Sequence, residues 1–258
     1  MPKILFWNLN KKNLTGEICS LIQSLDVDVL VLAESVIPDS EILSAINVGR
    51  CRLFFKDLNL STRIKIYSTY EDRRLKPLLD EDFFSVRELK PYLGEKLLLV
   101  AVHLPSKLHA QPLDQMMTAN FLSKAIRSLE KKCSTTRTIV IGDFNMSPFE
   151  DGMVAASGLH AMLDQGIVKK INRTVKSVSY SYFYNPMWGR LGDLTVGPSG
   201  TYKYSKAVEV NHQWHTYDQV LLRPSLLDYF EDDELSVINI VGSDHFPIVI
   251  NLKTEVVI

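Results

Sequence analysis

The chain has 258 residues, 46% hydrophobic and 23% charged, and its 29 basic against 30 acidic side chains leave a net charge of −1. That composition belongs to a folded chain with a substantial core, and it argues against disorder and against a uniformly basic nucleic-acid-coating protein. No window approaches the run of about 20 apolar residues that spans a membrane.

Residues 3–10 predict a first strand, with Ile4, Leu5, Phe6 and Trp7 apolar and Asn8 and Asn10 on one side at its end. Polar and basic residues follow at once, unlike a signal peptide, so a cytoplasmic protein without a membrane anchor is expected. Thr15 is the expected N-cap of a helix whose Ile18, Leu21, Ile22 and Leu25 share one face. Residues 27–33 read as a buried strand that delivers Glu34 at its end. A short helix at 38–46 precedes strand-like runs at 52–55, 63–68 and 83–89, whose order suggests antiparallel pairing. Residues 96–102 form a strong strand ending in His103. Residues 113–132 carry the longest helical stripe, including Met116, Phe121, Leu122, Ile126 and Leu129, which reads as core packing.

The run Thr138-Ile139-Val140-Ile141 then ends in Gly142-Asp143-Phe144-Asn145. Neither face of that strand offers water a polar group, and alternation puts Asp143 and Asn145 on one side. Such residues can cap a turn, but a carboxylate ending a buried strand also seeks a metal, a cation or a reacting group. Beyond it, 153–159 predict a short helix and 169–176 a loop or exposed strand. Residues 180–188 are dense in aromatics, suited either to packing or to stacking on bases and sugars. A glycine-rich loop follows, and short strands at 219–222, 237–241 and 246–252 close the chain. The basic clusters at 73–76, 131–132 and 169–176 read as solvated faces, with a phosphate-binding face as the alternative. His109, His160, His212 and His215 read as surface or loop residues, and Trp214 as either core or cleft lining. Cys19, Cys51 and Cys133 form no CxxC pair, so neither a disulfide framework nor a thiolate zinc site is indicated. Residues 1–258 read as one α/β domain of two packed sheets, mixed or mostly antiparallel.

The strand ends supply Asn8, Asn10, Glu34, His103, Asp143, Asn145, Asp218, Asp244 and His245. Carboxylates and amides suit a hard cation such as Mg²⁺, whereas zinc would want more nitrogen or sulfur. Histidine adds proton transfer near neutral pH. Together these are the requirements of phosphoester hydrolysis.

The set resembles the endonuclease/exonuclease/phosphatase (DNase I-like) superfamily. Phe6-Trp7-Asn8-Leu9-Asn10 looks like its first-strand Asn motif. Val31-Leu32-Ala33-Glu34 resembles its metal motif, with Ala33 where Gln is usual. Ala101-Val102-His103 resembles the His strand of the DNase I-like branch. Gly142-Asp143-Phe144-Asn145, Tyr217-Asp218-Gln219-Val220 and Ser243-Asp244-His245-Phe246-Pro247 complete the order. The resemblance implies a four-layer α/β sandwich, two mixed and mostly antiparallel sheets flanked by helices. It implies Mg²⁺, with Mn²⁺ as substitute, at Asn8, Glu34, Asp143 and Asp244. His103, Asp143, Asn145, Asp218 and His245 would be catalytic, with Asp218 orienting His245. Asn8, Asn10, Arg87 and Asn145 would bind substrate. Nucleic acid is the expected substrate of a nuclease; the alternatives are a phosphatase or phosphodiesterase for inositol phosphates or other small or lipid-linked phosphoesters, and an inactive binding module.

Overall fold

Strands that are apolar on both faces become the centres of two sheets. The structure is a computed structural model that describes residues 2–58, 61–194, 196–204 and 213–253; His212 lies outside them. In chain order the first half contains β1 (Lys3–Asn8), α1 (Thr15–Leu25), β2 (Val29–Ala33), α2 (Asp39–Ile46), β3 (Phe55–Lys56), β4 (Ile64–Ser68), β5 (Leu75–Asp80), β6 (Phe84–Leu89), β7 (Leu97–His103) and α3 (Pro112–Cys133). The second half contains β8 (Thr138–Asp143), α4 (Asp151–Val154), β9 (Ala161–Met162), α5 (Gln165–Val168), β10 (Asn172–Val175), β11 (Val178–Ser181), β12 (Phe183–Tyr184), β13 (Tyr202–Lys203), β14 (Trp214–His215), β15 (Asp218–Leu222), β16 (Leu235–Val237) and β17 (Ile248–Asn251).

A six-stranded sheet has the order β16-β17-β1-β2-β4-β3, and a seven-stranded sheet the order β5-β6-β7-β8-β15-β12-β9. Both are mixed: β1 and β2 are parallel, as are β7 and β8, while most other pairs are antiparallel. Alternating side chains build the three larger of four apolar clusters among the described residues. Phe6, Val31, Leu99, Ile141 and Val220 fill the space between the sheets. Val100, Val140 and Leu221 pack on Ala119, Leu122 and Ile126 of α3. Leu5, Trp7 and Leu30 pack on Ile18, Ile22 and Ile42 of α1 and α2. The result is the expected four-layer α/β sandwich.

The topology gathers chemistry at one edge. The parallel strands β1, β2, β7 and β8 all run toward it and end there in Asn8, Ala33–Glu34, His103 and Asp143. The antiparallel β15 starts there, with Asp218 opposite Asp143. Gly142 lets β8 lie close to β7: its φ is +151°, and a Cβ there would sit 2.0 Å from the Val102 carbonyl oxygen.

Several local expectations change. Thr15 is the first helical residue rather than the N-cap, and Asn13 Oδ1 accepts from its N–H at 3.2 Å. The run at 52–55 shrinks to Phe55–Lys56, because Arg52 turns to pair with Asp26 and Asp28. The run at 237–241 shifts to Leu235–Val237, since Ile238 and Ile240 pack toward the α1 layer. The basic stretch at 169–176 enters an exposed hairpin, β10–β11, whose turn residues Lys176 and Ser177 both have positive φ. Arg223, one residue beyond the far end of β15, holds the hairpin's base through the Ser181 and Tyr182 carbonyls. The hairpin therefore leaves the sheet at the end opposite Asp143.

Candidate active site

Strand-end turns present the polar side chains. Asn10, Glu34 and Asn145 all take left-handed backbone conformations, with φ of 47°, 50° and 51°. Such geometry is uncommon outside glycine and concentrates where structure over-determines the chain. Glu34 is so held: its N–H donates to the Arg63 carbonyl at 3.3 Å, and its own carbonyl accepts from Lys11 N–H at 3.0 Å.

Asn8 is buried at the centre. Its Nδ2 donates to Asp143 Oδ2 at 3.0 Å and approaches Glu34 Oε1 at 3.5 Å, while its Oδ1 accepts from the Asn10 N–H. Asp143 Oδ1 accepts from the Asn145 N–H at 2.8 Å. His103 Nε2 lies 3.4 Å from Glu34 Oε1 and 4.0 Å from Asp143 Oδ2. His245 Nε2 also stands 4.0 Å from Asp143 Oδ2, so one carboxylate oxygen faces two imidazoles. His245 Nδ1 meets both Asp218 oxygens, at 2.9 and 3.0 Å.

Electrostatics divide these groups. A hydrogen bond from His103 holds the Glu34 carboxyl down, against its burial, at about 2. Burial opposes charge on His245, but the Asp218 carboxylate outweighs it and raises the imidazole above its ordinary range. Among the described residues no lysine or arginine pairs with Glu34, Asp143, Asp218 or Asp244; the basic side chains beside the first three are His103 and His245. Four carboxylates gathered without a lysine or arginine between them suit a hard divalent ion. Asp143, Asp218 and His245 bring ligand atoms within 4.8 Å of one another. Both Asp218 oxygens are already committed to His245, however. The more open carboxylate is Glu34, so a cation fits better between Glu34 and Asp143, whose oxygens the Asn8 amide nitrogen bridges here.

Asn10 Nδ2 donates to Asp244 Oδ1 at 2.8 Å, joining the first motif to the last. Ser243 Oγ reinforces that closure by donating to the Asn8 carbonyl. Asn145 sits beside the cluster, but its Nδ2 donates to the Leu104 carbonyl at 2.9 Å. Arg87 is elsewhere, a correction to its expected phosphate contact. It is fully buried between the sheets, 2.7 Å from Asp57 and 2.9 Å from Asp80, with its guanidinium spent on those carboxylates. Trp214 packs on Phe246 at 5.3 Å. His160 is buried against Tyr182 rather than lying at the surface, and His215 stacks on Tyr217.

The sequence reading missed Thr201 and Tyr202. This short strand wedges between the Asp218 and His245 motifs: the Asp218 N–H donates to Thr201 Oγ1, the Phe246 N–H to Thr201 O, and the Lys203 N–H to Asp244 O. Burial pushes both the Tyr202 and Tyr217 phenols up to about 12, so both stay neutral. Only the glycine-rich setting hinted at a tight crossing, and nothing local identified its partners.

The family model for the Endonuclease/Exonuclease/phosphatase family matches residues 5–245. No curated protein matches the sequence significantly. Among solved structures, the chain is similar to D. rerio TDP2 complexed with single-strand DNA product, at 17% identity and TM-score 0.55 over 96% of this chain and 97% of that one. It is similar to the endonuclease domain of TRAS1, a telomere-specific non-LTR retrotransposon, at 17% identity and TM-score 0.54 over 98% of each chain. An endonuclease/exonuclease/phosphatase family protein from Bacteroides thetaiotaomicron is similar at 12% identity and TM-score 0.54 over 96% of each chain. At these identities the structural likeness establishes the fold.

Proposed function

Because the chain belongs to the endonuclease/exonuclease/phosphatase family, whose members are divalent-metal-dependent hydrolytic phosphoesterases, we propose that it is a nuclease hydrolysing phosphodiester bonds in nucleic acid with Mg²⁺, residues 1–258 acting as one catalytic domain in the cytoplasm. The observation that carries the reading is the Asp218–His245 pair set 4.0 Å from Asp143, beside the ionised Glu34. Nucleic acid is favoured over smaller phosphoesters by the DNA-product complex of TDP2 and the endonuclease domain of TRAS1. No helix among the described residues is long and apolar enough to cross a membrane.

In this mechanism Glu34 and Asp143 would hold a divalent cation, with Asn8 joining them once its amide turns to present Oδ1, and Asp244, held by Asn10, would stand next to that group. When bound there, such an ion would supply positive charge to a phosphate oxygen, which favours in-line attack by water. Asp218 keeps His245 protonated, so its Nε2–H cannot accept the water's proton and instead donates to the leaving oxygen, protonating it as the scissile P–O bond breaks. That proton goes to Asp143, whose Oδ1 is fixed by the Asn145 N–H and whose Oδ2 stands 4.0 Å from both the His103 and the His245 Nε2. His103 donates a second hydrogen bond to the phosphate from the Glu34 side, and the Asn145 amide steadies the same group.

A substrate panel tests this. Single-stranded DNA, plasmid, RNA and an inositol polyphosphate are incubated with Mg²⁺ or Mn²⁺, with Asp143→Ala and His245→Ala as blanks. Cleavage of nucleic acid by the wild type alone is expected. Phosphate release from the inositol compound without nucleic-acid cleavage would replace the reading with a phosphatase, and inertness on every substrate would replace it with a binding module.

A further inference from the structure

One cationic element takes no part in the site. Between Asp164 and Asp193 the chain has no acidic residue, yet it carries Lys169, Lys170, Arg173 and Lys176, all exposed. Arg173 stands on β10 and Lys176 in the turn of the β10–β11 ribbon, a two-stranded sheet of its own outside both main sheets. Lys176 and Ser177 close that ribbon with both φ values positive, the type I′ geometry that matches strand twist. Its base is anchored twice. Arg223 donates to the Ser181 and Tyr182 carbonyls, and the guanidinium of Arg127 on α3 lies 5.5 Å over the Tyr180 ring.

The four charges are open. Among the described residues none of them enters an ion pair or a side-chain hydrogen bond, whereas Arg52, Lys65, Lys107 and Arg190 are all held by carboxylates. Glu130 of α3 offers them nothing, being buried and spent on Arg223 and Thr138. Surfaces kept only for solubility mix both signs, while a field of one sign concentrates a polyanion. Exposed Asn172, Thr174 and Ser179 are interleaved with the charges and add the polar groups that phosphate oxygens accept from. The ribbon is also remote from the site. β15 runs from Asp218 to Leu222, about 14 Å, and the ribbon's base lies beyond that far end.

We propose that the β10–β11 ribbon is a second, non-catalytic anchor for duplex DNA, entering its major groove with Arg173 and Lys176 while Lys169 and Lys170 lie on the flanking phosphates. Nucleic acid as the polyanion rests on the nuclease reading above; the open charges do not. Two strands about 5 Å apart, with their side chains, fit a B-form major groove about 12 Å wide and 8.5 Å deep. The major groove of A-form RNA is too narrow for such a ribbon, so the anchor selects DNA duplexes over RNA duplexes. Because the ribbon lies at the other end of β15, it holds a long substrate without touching the reacting phosphate. It therefore acts on affinity for long duplexes and leaves the chemical step alone.

The test measures binding apart from cleavage. Fluorescence anisotropy with a labelled DNA duplex of about 20 base pairs in EDTA is followed over a salt series for the wild type and two double variants. These are Arg173→Glu with Lys176→Glu, and Lys169→Glu with Lys170→Glu; all four positions are exposed, and a wild-type melting curve checks that each variant is folded. Each pair is expected to weaken binding by about tenfold or more and to lower the log–log salt slope by about 2. Hydrolysis of bis-para-nitrophenyl phosphate in Mg²⁺, a diester too small to reach the ribbon, is expected to stay at the wild-type rate. Unchanged affinity and slope in both variants overturn the anchor. So does equal wild-type affinity for an RNA duplex of the same sequence, or for polyglutamate of equal charge, which would assign the ribbon to an acidic polypeptide. A duplex held through the ribbon but left uncut in Mg²⁺ would sink the nuclease reading and leave the anchor standing; cutting by variants that bind as the wild type does would do the reverse.

Discussion

Replacing Arg87 by leucine separates a structural arginine from a phosphate-binding one. The guanidinium is wholly buried and spans the two sheets, with Nε 2.7 Å from Asp57 Oδ2 and Nη1 2.9 Å from Asp80 Oδ1. Removing one member of a buried ion pair leaves an uncompensated charge and costs about 3–5 kcal/mol. In a chain of this size each kcal/mol lowers Tm by about 2–4 °C, so a loss of about 6–20 °C is expected. Burial already pushes the Asp57 carboxyl up, with Arg87 opposing the shift. Without Arg87 its pKa rises further, and a carboxyl whose folded pKa lies above its unfolded value destabilises the fold as pH rises. The Tm deficit should therefore be larger at pH 8 than at pH 5. Adding Asp57→Leu should recover part of it. Circular-dichroism melts at both pH values, with kcat/KM measured at 25 °C, are the assay. A wild-type Tm with a raised KM would refute the reasoning and return Arg87 to the substrate.

Asp218→Asn should lower kcat by about 10²–10⁴ with less effect on KM, because His245 loses the carboxylate that keeps it charged. An NMR titration of His245 should show its pKa falling in that variant; an unmoved pKa with an unchanged kcat would contradict the pairing. Glu34 should titrate near 2 by carbon NMR, so its contribution to stability is present above about 4.5 and lost as pH falls through about 2. His103→Ala should return that carboxyl toward the ordinary range. Gly142→Ala should cost about 3 kcal/mol or more, since its Cβ meets the Val102 carbonyl at 2.0 Å in a backbone region that L-residues rarely adopt. A denaturant midpoint equal to the wild type would show that β7 and β8 can separate at no cost.

The central strands were legible because burial on both faces leaves an uninterrupted apolar run, as in Leu5–Trp7, Val29–Ala33 and Thr138–Ile141. Their polar ends were legible for the same reason: a lone Asn8, Glu34 or Asp143 after such a run stands out. Edge structure was less visible. The Leu75–Asp80 strand carries Lys76 and Pro77 on exposed positions beside a register shift, so it lacks both alternation and an apolar run. Arg87 misled because its partner Asp57 lies 30 residues away in the other sheet, and local sequence does not encode that meeting. Tyr202 was hidden similarly, since its neighbours Tyr217 and His245 are brought to it by crossings that only the folded sheet edge defines.

Glu34, Asp143 and His245 are proposed to form one metal-assisted phosphodiester-cleaving site. It is tested most directly by the initial rate of single-stranded oligonucleotide cleavage as Mg²⁺ is titrated into metal-free wild type and Glu34→Gln. A saturable rise from a near-zero rate is predicted for the wild type, with Glu34→Gln inactive or needing far more Mg²⁺. A rate that is independent of added metal, or the same in both proteins, would rule out a metal site at Glu34.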